Sequence, residues 1–235
     1  MMMLKGGYME CNTGEVANEF RFERKFIIPE FHFNDIVDIF KCNGCNEIYR
    51  KRSICNIYLD DITMSSAHDN IEGNHRRLKH RIRWYGQLFG SIKKSKLEQK
   101  IKIGHCGKKR SFALSAFNLD QQFSRTILTK MVRSLLNEIS GDVLYKYLYP
   151  TSINTYERVY YVDPNQKLRI TFDQHIRYYD IGNTIRLSFS DPHPIVEIKY
   201  VNSIDIDKMH FIKNLPFRLA KNSKYLNGLT KGSRI

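Results

Sequence analysis

The residues that could do chemistry in this chain are charged and spaced two apart. Lys79, Arg81 and Arg83 alternate with Leu78, Ile82 and Trp84, and Glu98, Lys100 and Lys102 alternate with Leu97, Ile101 and Ile103. The same spacing runs through Arg21, Glu23 and Lys25, through Tyr156, Arg158 and Tyr160, through Lys167, Arg169, Thr171 and Asp173, and through Glu197 and Lys199. Period two is the side-chain period of a strand, so each set lies on one face. On any single strand this pattern is what a solvated sheet face shows. Here it recurs on at least five strands, and the charges are mostly Arg and Lys, unlike the mixed signs of an ordinary soluble surface. If the sheet closes into a barrel with its apolar face outward, these charges point inward. Buried, unpaired cations are costly, so such a tunnel must be wet and hold a strong polyanion. A chain of phosphates fits best, because guanidinium forks and ammonium groups match phosphate oxygens. The accompanying carboxylates, Glu23, Glu98, Asp173 and Glu197, then suit a hard divalent cation that bridges phosphates.

Other motifs carry less. Gly104-His105-Cys106-Gly107-Lys108 has glycines too close for a phosphate-binding P-loop, and Lys109 stands where Ser or Thr would hold magnesium. Cys42-Asn43-Gly44-Cys45 has the spacing of a zinc or redox pair. It lacks a second pair at zinc-ribbon spacing and a thioredoxin-like context, so it reads as a turn with two incidental thiols. The eight histidines show no paired metal spacing, and no nucleophile elbow is present.

The elements that must position the charges follow from the apolar pattern. Strands are predicted over residues 19–28, 53–60, 77–85, 96–103, 155–162, 167–175, 184–189 and 194–200. A short helix is predicted from Asn34, with Ile36, Val37, Ile39 and Phe40 as its stripe. A longer helix over 123–139 carries Phe123, Ile127, Leu128, Met131, Val132, Leu135, Leu136 and Ile139 at a 3.6 period. Asn118 with Gln121 resembles its capping box, and Gly141 suits its stop. Residues 65–74 read as a polar loop, 207–215 as helical, and 1–18 as a loose lead-in to a single domain over 19–235. The fold class expected is α+β: an antiparallel eight-stranded β-barrel tunnel with helices packed outside.

Composition agrees with this picture. The 235 residues carry a formal charge of +14, with 42% hydrophobic and 12% aromatic residues. That is too much apolar material for a disordered basic tail. No run approaches the length of a membrane span, and five sparse cysteines fit a reducing compartment. A cytosolic location is expected, with any membrane reached at its cytosolic face through a partner.

Eight ordered blocks resemble a known family. Arg21-x-Glu23-x-Lys25, Ile57-Tyr58-Leu59-Asp60, Lys79-x-Arg81-x-Arg83-Trp84-Tyr85-Gly86 and Glu98-x-Lys100-x-Lys102 look like its first half. Tyr156-x-Arg158, Arg169-Ile170-Thr171-Phe172-Asp173, Glu197-Ile198-Lys199-Tyr200 and Ser223-Lys224-Tyr225 look like its second. The family is the catalytic domain of the vacuolar transporter chaperone (VTC) polyphosphate polymerases and their bacterial relatives, within the triphosphate tunnel metalloenzymes. The resemblance implies manganese- or magnesium-dependent transfer of the γ-phosphate of ATP onto inorganic polyphosphate. It implies catalytic phosphate clamps at Lys25, Arg81, Arg83, Lys100, Arg158 and Arg169. Further phosphate contacts fall on Lys79, Lys102, Lys199, Lys221, Ser223 and Lys224, and metal ligands on Glu197 and Glu23. One of Lys108 and Lys109 is a candidate for a further basic position, and the sequence leaves their register open. Where the wider superfamily has the first Glu of Glu-x-Glu-x-Lys, this chain has Arg21, as in the polymerase branch; that argues against a two-metal hydrolase. Two alternatives stay open: a tripolyphosphate or nucleoside triphosphate hydrolase, and a binding module without catalysis. Nucleic acid is not the expected partner, because most aromatics alternate to the opposite face.

Overall fold

The computed structural model describes residues 21–29, 32–103, 106–139, 147–201, 212, 215 and 217–231, and the architecture below is theirs. Eight strands form one continuous antiparallel path. In spatial order they are β1 (Arg21–Ile27), β11 (Ile195–Val201), β9 (Arg169–Ile181), β8 (Tyr149–Val162), β2 (Asn46–Asp60), β3 (Arg76–Tyr85), β5 (Ser95–Ile103) and β6 (Cys106–Leu114). A ninth strand, β10 (Ile185–Asp191), pairs the second half of β9, and β4 (Gly90–Ile92) pairs β7 (Phe117–Leu119) separately. Four helices accompany them: α1 (Phe33–Cys42), α2 (Ser65–Glu72), α3 (Arg125–Asn137) and α4 (Lys224–Thr230).

The alternation predicted for the strands decides which face each side chain takes. Ile57, Leu59, Ile82, Trp84, Leu97 and Ile153 point outward and form one core with Leu128, Val132, Leu135 and Leu136 of α3. Each such aliphatic contributes about 1.5–3 kcal/mol relative to exposure. Phe26, Ile170, Phe172, Val196 and Ile198 form a second outer core with Ile36 and Phe40 of α1. The apolar face is therefore outside under α1 and α3, and the charged face is inside.

Strand β1, at one end of the path, faces β5, next to the other end, across the lumen. Lys100 Nζ on β5 stands 3.5 Å from Glu23 Oε2 on β1, so the sheet curls round into a tunnel. Residues 219–223 run along the free edge of β1, where Leu219 bridges Phe26 and the Ala220 amide donates to the Lys25 carbonyl at 2.9 Å.

Helix α4 packs on the inner face at one end of the tunnel. Its Tyr225 ring stacks on Tyr58 at 5.2 Å, and the Tyr225 hydroxyl donates to the buried Asp60 carboxylate. The approach is close at Gly228, where a Cβ would stand 2.8 Å from Ser152 Oγ. Asp60 also accepts the amides of Ser66 and Ala67, so one carboxylate ties β2, α2 and α4 together.

Several sequence expectations need correction. Residues 65–72 are helical, because Asp60 and Asp61 accept the first amides of α2 and stabilise a short polar helix. The cap of α3 is Ser124, whose side chain accepts the Ile127 amide; Asn118 lies in β7. Strand β6 is absent from the sequence-based prediction, since its run of Lys108, Lys109, Arg110 and Ser111 has no apolar alternation. Lys167 precedes β9 and is exposed rather than lining the tunnel. Cys42 is exposed while Cys45 is buried, and burial with nearby Asp163 pushes the Cys45 thiol up to about 11. The expected lead-in, the stop at Gly141, the glycine-rich run at 104–105 and most of the helix at 207–215 lie outside the described residues. No helix among the described residues is long and apolar enough to cross a membrane.

Candidate active site: a basic tunnel

Three acid-centred clusters organise the inner face. The first surrounds Glu98 on β5. Arg81 donates Nε and Nη2 to its Oε2 at 2.9 and 2.7 Å, Lys109 donates to Oε1 at 2.6 Å, and Arg83 Nη1 stands 3.5 Å away. Burial alone would raise this carboxyl; Arg81, Arg83 and the Lys109 hydrogen bond outweigh it and hold the group down at about 2. Arg83 extends further, donating to Asn56 Oδ1 and to the Tyr156 hydroxyl, both at 2.9 Å.

The second cluster surrounds Asp173 on β9. Arg158, opposite it on β8, donates Nε and Nη2 at 2.5 and 2.7 Å, and Lys224 donates at 2.5 Å. Burial opposes ionisation here too, yet Arg158 and Lys224 keep the carboxyl below its ordinary range. Both cations lie over the Tyr156 ring, 5.2 and 4.6 Å from its centroid.

The third cluster joins β1 and β11. Lys25 bridges Glu23 at 2.6 Å and Glu197 at 3.6 Å, and Lys199 pairs Glu197 at 2.6 Å. Burial disfavours the Lys25 charge, but Glu197 and Glu23 together raise its pKa above the ordinary lysine value. Burial would likewise raise Glu197; Lys199, Lys25 and Arg158 bring it well below the carboxylate range. For Glu23, burial and repulsion from Glu197 are overcome by Lys25, Lys100 and Lys199.

Cations outnumber these acids on the facing strands. Lys79, Lys100 and Lys109 are direct cross-strand neighbours on β3, β5 and β6, and Arg77 stands opposite Lys102. Like charges in that position destabilise a sheet. Lys79, with Ser223 Oγ at 3.2 Å, shows the strain electrostatically: burial and then Lys25, Lys100 and Arg77 lower its pKa to about 7.

Most of the residues singled out by sequence therefore meet in one lumen: Glu23, Lys25, Lys79, Arg81, Arg83, Lys100, Arg158, Glu197, Lys199, Ser223 and Lys224. Three lie apart. Arg169 is exposed at the start of β9, opposite Lys199; Lys102 sits at the far end of β5; Lys221 is exposed on the segment leading to α4. The register of β6 makes Lys109, not Lys108, the inward residue. Asn56, Tyr58 and Tyr156 also line the tunnel, and among these Tyr156 was legible from its spacing to Arg158. The Tyr156 hydroxyl resists ionisation through burial, but Arg158 and Arg83 lower its pKa on balance.

Glu23 and Glu197 are the fitting pair for a divalent cation. They lie on adjacent strands and share Lys25 as a partner. No group of three or more candidate metal ligands occurs among the described residues. Two carboxylates suit a hard cation whose remaining ligands are phosphate oxygens and water.

The site is an antiparallel tunnel lined by clustered Arg, Lys and Glu, and solved structures share the fold. A candidate adenylate cyclase from Bacillus halodurans matches with a TM-score of 0.53 at 11% identity, covering 87% of this chain and 94% of that one. A candidate adenylate cyclase from Vibrio parahaemolyticus matches with a TM-score of 0.50 at 9% identity, covering 90% and 98%. Among curated proteins no sequence matches. The family described as the VTC domain matches residues 20–231, and the chain belongs to it.

Proposed function

We propose that the chain is a metal-dependent polyphosphate polymerase that moves the γ-phosphate of ATP onto a growing inorganic polyphosphate inside the tunnel. The observation that carries this reading is the cross-strand row Lys79, Lys100 and Lys109, a line of like charge that an extended chain of phosphates neutralises. Membership of the VTC domain family supports it.

Phosphoryl transfer asks for in-line positioning and neutralisation of charge more than for covalent chemistry. Arg81, Arg83 and Arg158 clamp the triphosphate and the incoming chain, Lys25 and Lys100 cradle the β- and γ-phosphates, and Arg169, outside these clusters, is left without a role at the reacting phosphates. Glu98 and Asp173 hold Arg81 and Arg158 in fixed orientation, so little reorganisation is needed on binding. Glu197 with Glu23 would hold Mn2+ or Mg2+, which would supply positive charge against the phosphates. A terminal phosphate oxygen of the chain attacks the γ-phosphorus, a new P–O bond forms, and the bond to the β,γ-bridging oxygen breaks, releasing ADP. That nucleophile is already ionised and needs no general base. Water would need one, and the described carboxylates of the tunnel are poor bases, because each is held in its anionic form by guanidinium or ammonium partners.

The test is to incubate the protein with ATP and Mn2+ and resolve the products on a polyphosphate gel. Long chains with ADP support the reading. Orthophosphate without chains assigns a triphosphatase, and binding without turnover assigns a polyphosphate-binding module.

A further inference from the structure

The end of the tunnel opposite α4 carries aromatic rings that a chain of phosphates does not require. The Arg52 guanidinium lies 4.7 Å from the Tyr49 ring centroid, 5.6 Å from Tyr85 and 5.7 Å from Tyr160. Tyr49 and Tyr160 meet edge to face at 5.5 Å. Tyr49 and Tyr85 are nevertheless about half exposed, at 50% and 55%.

A break in the ladder builds this cluster. On β8, Arg158 and Tyr160 are two residues apart and share the tunnel face. Their partners on β2 are Arg52 and Tyr49, three residues apart, with a register shift between them. The extra residue turns Tyr49 to the face of Arg52, which regular alternation would forbid. Tyr85 joins them from β3, two residues beyond the tunnel residue Arg83, and Tyr160 stands two beyond Arg158. Two strand residues span about 7 Å. The rings therefore continue the phosphate-facing rows of two strands to the rim, within reach of a nucleoside whose phosphates lie on Arg83 and Arg158.

We propose that Tyr49, Arg52 and Tyr85 form a nucleobase-stacking platform, which holds the base of a nucleoside triphosphate at the rim while its phosphates enter the tunnel. Flat, half-exposed rings beside a guanidinium plane give a base two kinds of stacking surface. Inorganic polyphosphate has no π-face and gains nothing from them. The platform thus separates the two ligands of the proposed reaction, a nucleotide donor recognised at base and phosphates and an acceptor recognised at phosphates alone. It rests on the reading of the tunnel as a triphosphate site.

The experiment measures ATP and inorganic tripolyphosphate binding by calorimetry in EDTA, so that neither ligand turns over. Tyr85→Ala and Tyr49→Ala are each expected to weaken ATP binding by about fivefold or more, the scale of one lost base–aromatic stack. Tripolyphosphate affinity stays at the wild-type value, and Tyr85→Phe retains ATP affinity because the ring is kept. Equal losses for both ligands, or no loss of ATP affinity in the alanine variants, overturn the platform alone. Failure of the wild-type protein to bind tripolyphosphate overturns the tunnel reading and the platform with it. Tighter binding of an unphosphorylated oligonucleotide than of ATP also overturns it, making the rim a nucleic-acid contact.

Discussion

Asp173 holds Arg158 in a two-point ion pair, with Arg158 Nε 2.5 Å from Oδ1 and Nη2 2.7 Å from Oδ2. The carboxylate is buried, and Lys224 shares it at 2.5 Å. Asp173→Asn leaves two enclosed cations without their counter-charge. The expected cost is about 3–5 kcal/mol, the scale for breaking a buried ion pair from one side, read by urea unfolding. Wild-type stability from this site is present above the ordinary carboxylate range and is lost as pH falls through the lowered native value. Asp173→Asn removes that part of the acid sensitivity. An unchanged midpoint at neutral pH would show that the pair holds nothing in place.

Lys79 gives a pH dependence of the opposite kind. Its pKa in the folded chain is about 7, lowered by burial and by Lys25, Lys100 and Arg77. Between that value and the ordinary lysine range the unfolded chain holds the proton and the folded chain does not. Raising pH through this window therefore relieves a destabilisation from Lys79, while a bound phosphate, which favours the ammonium form, must bring a proton in. Tripolyphosphate affinity is expected to fall above pH 7 by up to about tenfold per unit. Lys79→Arg, which stays charged, flattens the slope. Calorimetry across pH, with buffers of different ionisation enthalpy, reads both affinity and proton uptake.

Gly228 sets how closely α4 docks. An added Cβ would stand 2.8 Å from Ser152 Oγ and 3.3 Å from Tyr178 Cδ1. Ala favours a helix by about 1 kcal/mol over Gly, but overpacking against buried neighbours costs about 1–3 kcal/mol. Gly228→Ala is expected to lower the thermal midpoint despite its helix propensity. A raised midpoint would mean that α4 can shift away without loss.

Glu197→Gln tests the assignment of the metal. Glu197 and Glu23 share Lys25, so the variant keeps one carboxylate and the hydrogen-bonding shape of the other. The Mn2+ concentration for half-maximal turnover should rise by at least about tenfold. Glu98→Gln, which alters the Arg81 cluster instead, should lower turnover without moving the metal requirement.

The inner face was legible because period-two charge survives into the fold: Lys79, Arg81 and Arg83 do share a side, as do Glu23 with Lys25 and Glu197 with Lys199. What stayed hidden depended on partners distant in sequence. The cap of α2 comes from carboxylates at the end of a preceding strand. Strand β6 owes its existence to β5, and only their register tells Lys109 from Lys108. The ladder break that turns Tyr49 is a property of the β2–β8 pair, not of either segment. The docking of α4 needs Tyr58, Ser152 and Asp60 brought together from two strands.

In the proposed reaction Arg81, anchored by Glu98, clamps the phosphates that react. The most direct measurement is ATP-driven polyphosphate synthesis by wild-type protein and by Arg81→Ala, in Mn2+ and on a polyphosphate gel. The wild type should make long chains with matching ADP. The variant should keep the native circular dichroism and lose about a thousandfold or more in rate, the scale for removing a phosphate-clamping arginine. Undiminished chain growth by Arg81→Ala, or release of orthophosphate alone by the wild type, would overturn the polymerase assignment.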